Sequence, residues 1–276
     1  MTTKDRPVAL ITGGSRCIGL ELAREFARHD HDLVLVARDE HDLKQAATGI
    51  EDETGARVTT HALDLTQDAA VDELFKQLAM TRVDVLVNNA GIGDYGPFAE
   101  SDPERLMAML QLNMLSLTRL THHFLQPMVE RGSGRVLNVA SLVGYFAGGP
   151  NWIAYVASKA YVLSFTRGLA AELRGTNVTA TALSPGASTT NFVTDARVAD
   201  TRTYRWLPRV SIRRVASVAY RATMAGHTTM IPGGINKVLA FLGELQPRGI
   251  AMAVFAFLSR RTSNPDLQRT NAGVPR

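Results

Sequence analysis

Residues 7–30 read PVALITGGSRCIGLELAREFARHD, in which an apolar run, a glycine-rich turn and a helical pattern follow one another directly. The run at residues 7–12 predicts a short buried strand, and the apolar residues after Gly19 recur with the spacing of a helix. A strand, a glycine turn and a helix in this order can hold a pyrophosphate at the N-terminus of the helix. The stretch therefore favours an α/β fold that binds a nucleotide.

The same alternation continues along the chain. Strands alternating with helices predict a parallel sheet with helices on both faces. We expect the α/β class: a single-domain, Rossmann-like, doubly wound parallel sheet over residues 1–235, with a C-terminal helical extension over residues 236–276. The further apolar runs that indicate strands lie at residues 33–37, 57–65, 83–91, 135–141 and 177–190.

A hydroxyl, a phenol and an ammonium lie between residues 141 and 159. Tyr155 and Lys159 are four residues apart in YVASKAYVLSFTR, so a helix would place both side chains on one face. A free tyrosine has a pKa of about 10, and a nearby positive charge lowers that pKa. Tyr155 can then exchange a proton with a substrate oxygen. Ser141 ends the predicted strand at 135–141, at the edge where open α/β sheets bind ligands.

Each of these signals has a plainer interpretation. A tyrosine and a lysine at this spacing also occur on solvated helix surfaces. Asn113 lies inside a predicted helix, where asparagine is a poor helix former. It is either a tolerated polar group or a residue that holds a backbone distortion and a water.

The end of the second predicted strand indicates which nucleotide is bound. This strand ends at Ala37 and is followed by Arg38. In many NAD-binding folds an acid here bonds the ribose hydroxyls, whereas an arginine accommodates a 2′-phosphate. The next acid, Asp39, is better explained as the start of a helix, because acids suit the helix dipole there. The strand end therefore predicts NADP(H) rather than NAD(H).

With these motifs in place, the chain resembles the short-chain dehydrogenase/reductase family over residues 7 to about 235. The turn Thr12–Gly19 is similar to the family's cofactor loop, and NNAG at Asn88–Gly91 is similar to the segment behind the cofactor. The C-terminal pattern IPGGINKVLAFLGELQPRG resembles the DltE-like branch. The resemblance implies an NADP-dependent carbonyl reductase or alcohol dehydrogenase that acts on a hydrophobic ketone or secondary alcohol.

The resemblance also implies roles for individual residues. Tyr155 would donate a proton to a carbonyl while NADPH delivers a hydride, and Lys159 would lower the pKa of the phenol and bond the nicotinamide ribose. Ser141 would orient the carbonyl, and Asn113 would hold a water that links Lys159 to solvent. The predicted catalytic residues are Asn113, Ser141, Tyr155 and Lys159. The predicted cofactor contacts are Gly13, Ser15, Arg16, Ile18, Gly19, Arg38, Asp64, Leu65, Asn89, Ala90, Gly91, Tyr155, Lys159, Pro185, Gly186 and Thr190. Residues 190–212 take the place of the family's substrate-covering segment, and no metal is expected.

One position departs from the family's pattern, since Cys17 stands where the cofactor loop has a glycine. If this position requires a positive φ, a side chain adds roughly 1–2 kcal/mol of strain. That strain would weaken cofactor binding. The alternative is that Cys17 is a small residue packed against the helix, without consequence for binding.

Composition limits the remaining possibilities. A hydrophobic fraction of 45% and a charged fraction of 20% are ordinary for a soluble globular enzyme. The single cysteine excludes an internal disulfide and a cysteine-rich metal site. The longest apolar run, residues 250–258, is too short to span a bilayer, and no signal peptide opens the chain. We therefore expect a cytoplasmic protein.

Charge is distributed unevenly along the chain. Residues 205–276 carry a net charge of +9, and residues 1–204 carry a net charge of −5. The basic part contains the apolar run 250–258, which suits a buried helix or subunit interface, or a membrane-surface anchor. We expect a homodimer or homotetramer, no nucleic-acid partner, and leave open peripheral membrane contact through the basic C-terminal part. The alternatives to an enzyme are a non-catalytic NADP(H)-binding regulator and a membrane-surface scaffold.

Overall fold

The computed structural model describes residues 6–187, 209–244 and 256–257. Within these residues the strands form one parallel sheet of seven strands, in the order β3-β2-β1-β4-β5-β6-β7. The strands are β1 Val8–Thr12, β2 Asp32–Ala37, β3 Val58–Ala62, β4 Val85–Asn88, β5 Gly134–Val139, β6 Val178–Leu183 and β7 Thr229–Met230.

Helices follow the strands as the sequence predicts. Asp39 caps the second helix by accepting a hydrogen bond from the Asp42 amide at 2.9 Å, so this acid does begin a helix. The α-helices are α1 Cys17–Arg28, α2 Glu40–Thr54, α3 Asp68–Gln77, α4 Pro103–Leu110, α5 Leu117–Glu130, α6 Ile153–Glu172, α7 Ile212–Met224 and α8 Gly234–Glu244. Short 3₁₀ turns occupy Phe98–Glu100 and Leu142–Tyr145, and a π-helical turn at Gln111–Ser116 joins α4 to α5.

The sheet is covered by helices on both faces. Successive strand residues point to opposite faces, so Ile11 and Leu10 of β1 belong to different hydrophobic clusters. Ile11 shares its cluster with Phe26 of α1 and Val215 of α7, and Leu10 shares its cluster with Phe124 of α5. The doubly wound α/β fold is therefore confirmed.

The strand order fixes where a ligand can bind. β1 lies between β2 and β4, with Thr12 beside Val36 on one side and Ile11 beside Val87 on the other. The chain winds outward in opposite directions from β1, and this reversal leaves a crevice beyond the carboxyl ends of β1 and β4. The glycine turn and the NNAG segment both follow these strand ends.

Two strand ends differ from the sequence prediction. β3 ends at Ala62, before Asp64, because the Asp64 carboxylate instead accepts hydrogen bonds from the amide and hydroxyl of Thr66, at 3.1 and 2.9 Å. This side-chain turn competes with the strand for the backbone. β5 likewise ends at Val139, and Ser141 starts a 3₁₀ turn.

Several predictions lie on residues outside the described ranges. Thr190 is one of them, together with most of the 190–212 segment and of the apolar run 250–258. Among the helices that the structure describes, none combines the length and apolarity that a bilayer crossing needs.

Candidate active site

Helix α6 brings Tyr155 and Lys159 together. The helix begins at Ile153, so both residues lie in its first two turns. The ammonium nitrogen of Lys159 is 5.9 Å from the centre of the Tyr155 ring. Both side chains are buried, with exposed fractions of 7% and 5%. This burial does not fit the plainer interpretation of a solvated helix surface.

Burial changes the acidity of Lys159. Loss of water lowers the pKa of its ammonium from 10.5 to about 8, because desolvation disfavours the charged form. The nitrogen donates a hydrogen bond to the carbonyl oxygen of Val139 at 3.0 Å, which points it towards the end of β5. Lys159 is therefore still mostly charged at neutral pH, but it can release and regain a proton more readily than an exposed lysine.

Asn113 lies in the π-helical turn and binds the backbone of Ile92, next to the NNAG segment. Its side-chain oxygen accepts a hydrogen bond from the Ile92 amide at 3.1 Å, and its side-chain nitrogen donates to the Ile92 carbonyl at 3.0 Å. The residue is 1% exposed. A π-helical turn is a distortion that often marks functional sites. Asn113 therefore lies in a backbone distortion, as the second of its two interpretations expects, and its role in holding a water stays a prediction.

Ser158 is a residue that the sequence analysis missed. It is fully buried, and its hydroxyl donates to the Tyr155 carbonyl oxygen at 2.8 Å while accepting from the Asn113 side chain at 3.1 Å. Ser158 thus ties the π-helical turn to the first turn of α6. Its spacing in the sequence could have revealed it, because a residue three positions after Tyr155 lies on the same buried face of the helix.

Ser141 lies at the same edge of the sheet. Its side-chain oxygen accepts from the Val143 amide at 3.4 Å and caps the 3₁₀ turn Leu142–Tyr145. That turn packs directly on α6, since a Cβ at Gly144 would lie 2.7 Å from the Lys159 carbonyl oxygen. The structure thus brings the turn that begins after Ser141 against the helix that carries Tyr155 and Lys159.

The glycine turn is fastened to the end of β4. The Thr12 hydroxyl accepts hydrogen bonds from the amides of Asn89 and Ala90, both at 3.0 Å. In return, the Asn89 side chain donates to the carbonyl oxygens of Thr12 and Gly13, at 2.9 and 3.1 Å. Asn89, predicted as a cofactor contact, therefore also sets the shape of the loop.

The crevice wall is made of backbone at three predicted glycines. A Cβ on Gly19 would lie 2.0 Å from the Gly13 carbonyl oxygen, and Gly13 itself has a φ of +65°. At Gly91 a Cβ would approach Lys159 Nζ to 3.3 Å. Arg16, before α1, makes no side-chain capping bond to the first amides of that helix. A narrow glycine-lined crevice at an uncapped helix N-terminus fits the pyrophosphate of a dinucleotide.

Arg38 and Cys17 border the same crevice. Arg38 is exposed directly after β2, whose register with β1 sets Thr12 beside Val36. Cys17 is the first residue of α1 and has a φ of +53°. The strain predicted for Cys17 required a positive φ at this position, and the structure has one.

The remaining predicted cofactor contacts follow the carboxyl ends of β1, β3 and β6. Gly186 packs so closely on Asn236 that a Cβ there would lie 2.5 Å from the Asn236 side chain, and the Pro185 carbonyl accepts from the Leu142 amide at 2.9 Å. The Leu65 carbonyl accepts from the Ser116 hydroxyl at 2.6 Å. Ser15 and Ile18 are half-buried in the glycine turn and the first turn of α1.

A small, partly open pocket adjoins Tyr155. Two further aromatic rings pack in series next to Tyr155: the ring centre of Trp152 is 5.3 Å from that of Tyr155, and the ring centre of Tyr95 is 5.3 Å from that of Trp152. The lining of the pocket is mixed, which suits a ligand with an apolar body and few polar groups. The lining residues are Asp94, Gly96, Phe98, Ser101, Leu106, Met109, Asn151, Ile153, Ala154 and Tyr155.

Comparison with known proteins agrees with this site. Residues 7–200 match the model of the short chain dehydrogenase family. The chain therefore belongs to the short-chain dehydrogenase family, a class of oxidoreductases. The finer assignment to the DltE-like branch stays a prediction.

Three relatives illustrate the likeness. The ketoacyl reductase HetN of Nostoc sp. is 30% identical over 91% of this chain and 88% of its own. A short-chain dehydrogenase from Sphingobium yanoikuyae in complex with NADPH superposes with a TM-score of 0.77 at 29% identity, over 87% of this chain and 97% of its own. The bulky-bulky ketone specific alcohol dehydrogenase of Comamonas testosteroni gives a TM-score of 0.73 at 27% identity, over 88% and 96%.

Proposed function

We propose that the protein is an NADPH-dependent carbonyl reductase, or in the reverse direction an alcohol dehydrogenase, acting on a hydrophobic ketone or secondary alcohol. The observation that carries the proposal is the buried Tyr155 beside the Lys159 ammonium, at the mouth of a glycine-lined crevice. Two of the similar structures, one with NADPH and one specific for bulky ketones, support the choice of cofactor and of substrate class.

In this mechanism the protein supplies a proton and a fixed geometry. NADPH, when bound, supplies the hydride that adds to the carbonyl carbon. Tyr155 donates its phenolic proton to the carbonyl oxygen, which yields the alcohol and leaves a phenolate. The Lys159 ammonium stabilises that phenolate and, with its lowered pKa, can pass on a proton to restore the phenol.

Asn113, Ser158 and Ser141 position these groups. Asn113 and Ser158 hold the π-helical turn against α6, so the Tyr155 backbone has a fixed place. Ser141 would orient the carbonyl by hydrogen bonding. The rings of Trp152 and Tyr95, packed in series next to Tyr155, would favour an apolar substrate body.

Arg38 and Arg16 support the preference for NADP(H). Both side chains are exposed at the edge that would hold the adenosine ribose, and guanidinium groups bind phosphate in a bidentate fork. Exchanging Arg38 for Asp should reverse or abolish the preference. The test is kcat/KM with NADPH and with NADH for both proteins. A higher wild-type kcat/KM with NADH would contradict the assignment.

The reaction itself is tested by following NADPH consumption with ketones of graded size and polarity. We expect turnover to favour ketones with large apolar groups. The alcohols should reduce NADP⁺ in the reverse direction. A protein that binds NADPH but turns over no member of either panel would instead be the non-catalytic regulator.

We also propose that the protein forms a homodimer or a homotetramer. Three large apolar residues are 44% to 56% exposed: Met107 on α4, Leu115 in the π-helical turn and Val129 on α5. Burial against another subunit would remove them from water. Light scattering of the protein at several concentrations measures the assembly.

A further inference from the structure

Helix α8 has four of its five large apolar residues on the outside, and the fifth, Leu239, packs partly against the core. The residues that it buries are small or polar: Asn236, Ala240 and Gly243. A surface helix ordinarily does the opposite, turning an apolar stripe inward and charged residues outward. The large apolar residues that it exposes are Ile235 at 53%, Val238 at 58%, Phe241 at 63% and Leu242 at 51%.

These four residues form one continuous face, called here the α8 face. At 3.6 residues per turn, positions 235, 238, 241 and 242 fall within an arc of about 120°. The buried residues lie on the opposite side of the helix. Single exposed apolar residues are normal, but four adjacent ones form a patch of the kind that marks an interaction surface.

The α8 face flanks the candidate active site. On its inner side α8 packs against the 3₁₀ turn after Ser141, where a Cβ on Gly243 would lie 2.9 Å from the Tyr145 carbonyl oxygen. Asn236 packs against Gly186, one of the predicted cofactor contacts. The helix is thus fixed to two loops of the site, and a partner on its outer face would lie beside the crevice.

The charge of the C-terminal part of the chain favours an anionic partner. Lys237 is exposed on the same helix, and the carboxylate of Glu244 is neutralised by Arg167 at 2.5 Å. Residues 205–276, which include α8, carry a net charge of +9. Large apolar side chains in a segment of net positive charge are the composition of helices that lie on anionic lipid surfaces.

We propose that the α8 face docks on an anionic lipid surface and holds the mouth of the active site next to the lipid. The binding step depends only on the α8 face and the basic charge. Its functional consequence rests on the proposed reductase activity: a lipophilic ketone dissolved in the bilayer would reach the site without crossing bulk water.

Sedimentation with vesicles tests the docking step. Vesicles of phosphatidylcholine alone are compared with vesicles that also contain phosphatidylglycerol, using the full chain. We expect more wild-type protein to sediment with the anionic vesicles, and less as salt is raised. The double variant Phe241→Ser, Leu242→Ser should bind at least about tenfold more weakly, because two large apolar side chains no longer enter the lipid.

Met80→Ser is the matched control. Met80 is 98% exposed but lies in the connection between α3 and β4, outside the α8 face, so its replacement should leave vesicle binding unchanged. Turnover of a water-soluble ketone should be equal in all three proteins, which separates this proposal from the reductase proposal.

Three results would overturn lipid docking. The wild type remains in the supernatant with both kinds of vesicle; or the double variant binds as well as the wild type; or light scattering without lipid shows that the double variant alone loses an assembly. The last result would assign the α8 face to a second copy of the chain.

Discussion

The two sides of the crevice are built by different means. On the side of β1 and α1, the wall is backbone, and Gly13 and Gly19 matter because they have no side chain. On the side of β5 and α6, Tyr155 and Lys159 matter because of the groups that they carry. The comparison teaches that the first side should lose its shape when a side chain is added. The second side should lose its chemistry when a functional group is removed.

The largest effect is expected on the side-chain side. Tyr155→Phe removes the proton donor and should lower kcat by about 10³-fold, within the range that general acid catalysis supplies. NADPH binding should change by no more than about twofold, since the phenol acts on the substrate. Steady-state kinetics and a binding titration measure the two quantities.

Tyr161→Phe is the control for this variant. Tyr161 lies on the same helix, and its hydroxyl bonds Thr118 at 2.7 Å, away from the reacting groups. It should retain nearly full activity. If Tyr155→Phe also kept most of its kcat, Tyr155 would not be the proton donor.

The next effect belongs to the backbone side. Gly19→Ala places a Cβ 2.0 Å from the Gly13 carbonyl oxygen, so the loop must move away from its pyrophosphate-binding shape. We expect NADPH affinity to fall by about 100-fold, which corresponds to about 2.7 kcal/mol. Isothermal titration measures the affinity.

Gly49→Ala gives the comparison for an added methyl group, because a Cβ at Gly49 meets nothing within 4 Å. It should leave NADPH affinity unchanged. Urea unfolding of both variants without cofactor separates lost binding from lost folding. Normal affinity in a folded Gly19→Ala protein would show that the loop shape does not govern binding.

Lys159 connects activity with stability. Its pKa falls from 10.5 to about 8 in the folded protein, so the buried ammonium destabilises the apoprotein. The destabilisation grows as the pH drops from 10.5 towards 8, and it reaches its full size below pH 8. Lys159→Met should therefore inactivate the enzyme and yet raise the free energy of unfolding at pH 7 by about 2 kcal/mol, after loss of the bond to Val139.

Urea titrations at pH 7 and pH 10 check the sign. The gain in the free energy of unfolding from Lys159→Met should be larger at pH 7 than at pH 10, because at pH 7 the wild type keeps a buried charge. The exposed Lys44 provides the control, since Lys44→Met should show no such gain. A destabilised Lys159→Met protein at pH 7 would mean that the lysine contributes net stability.

The smallest effect is expected at Cys17. Its φ of +53° costs a side chain roughly 1–2 kcal/mol of strain. If cofactor binding requires this backbone shape, Cys17→Gly should tighten NADPH binding by about tenfold. Cys17→Ala keeps a Cβ and should bind like the wild type. Equal dissociation constants for all three would show that the residue is ordinary packing.

The sequence predicted the sheet and most of its helices because each element carries its own periodic pattern. It also predicted the acid that starts α2, because Asp39 acts on the helix that directly follows it. The ends of β3 and β5 were placed too late, because a side-chain turn at Asp64 and a 3₁₀ turn after Ser141 replace the strand locally.

Within the site, the sequence indicated which groups are present but not how they are held. Ser158 was missed because its role depends on Asn113, a residue 45 positions away that is brought near only by folding. The α8 face was missed for a similar reason. An apolar pattern predicts a helix, but only the structure shows that the small residues are the buried ones.

The π-helical turn at Gln111–Ser116 also sets the phase of the two helices that it joins. Met109 and Leu120 are eleven positions apart, so an unbroken α-helix would place them on nearly the same side. In the structure Met109 joins the cluster around Tyr155 and Trp152, whereas Leu120 joins the core beneath the sheet. Because the wide turn resets the rotation, removing one residue from it would turn α4 relative to α5 by about 100°. A deletion in the π-helical turn would therefore rotate α4 about its axis, and would turn Met109 away from the wall of the pocket.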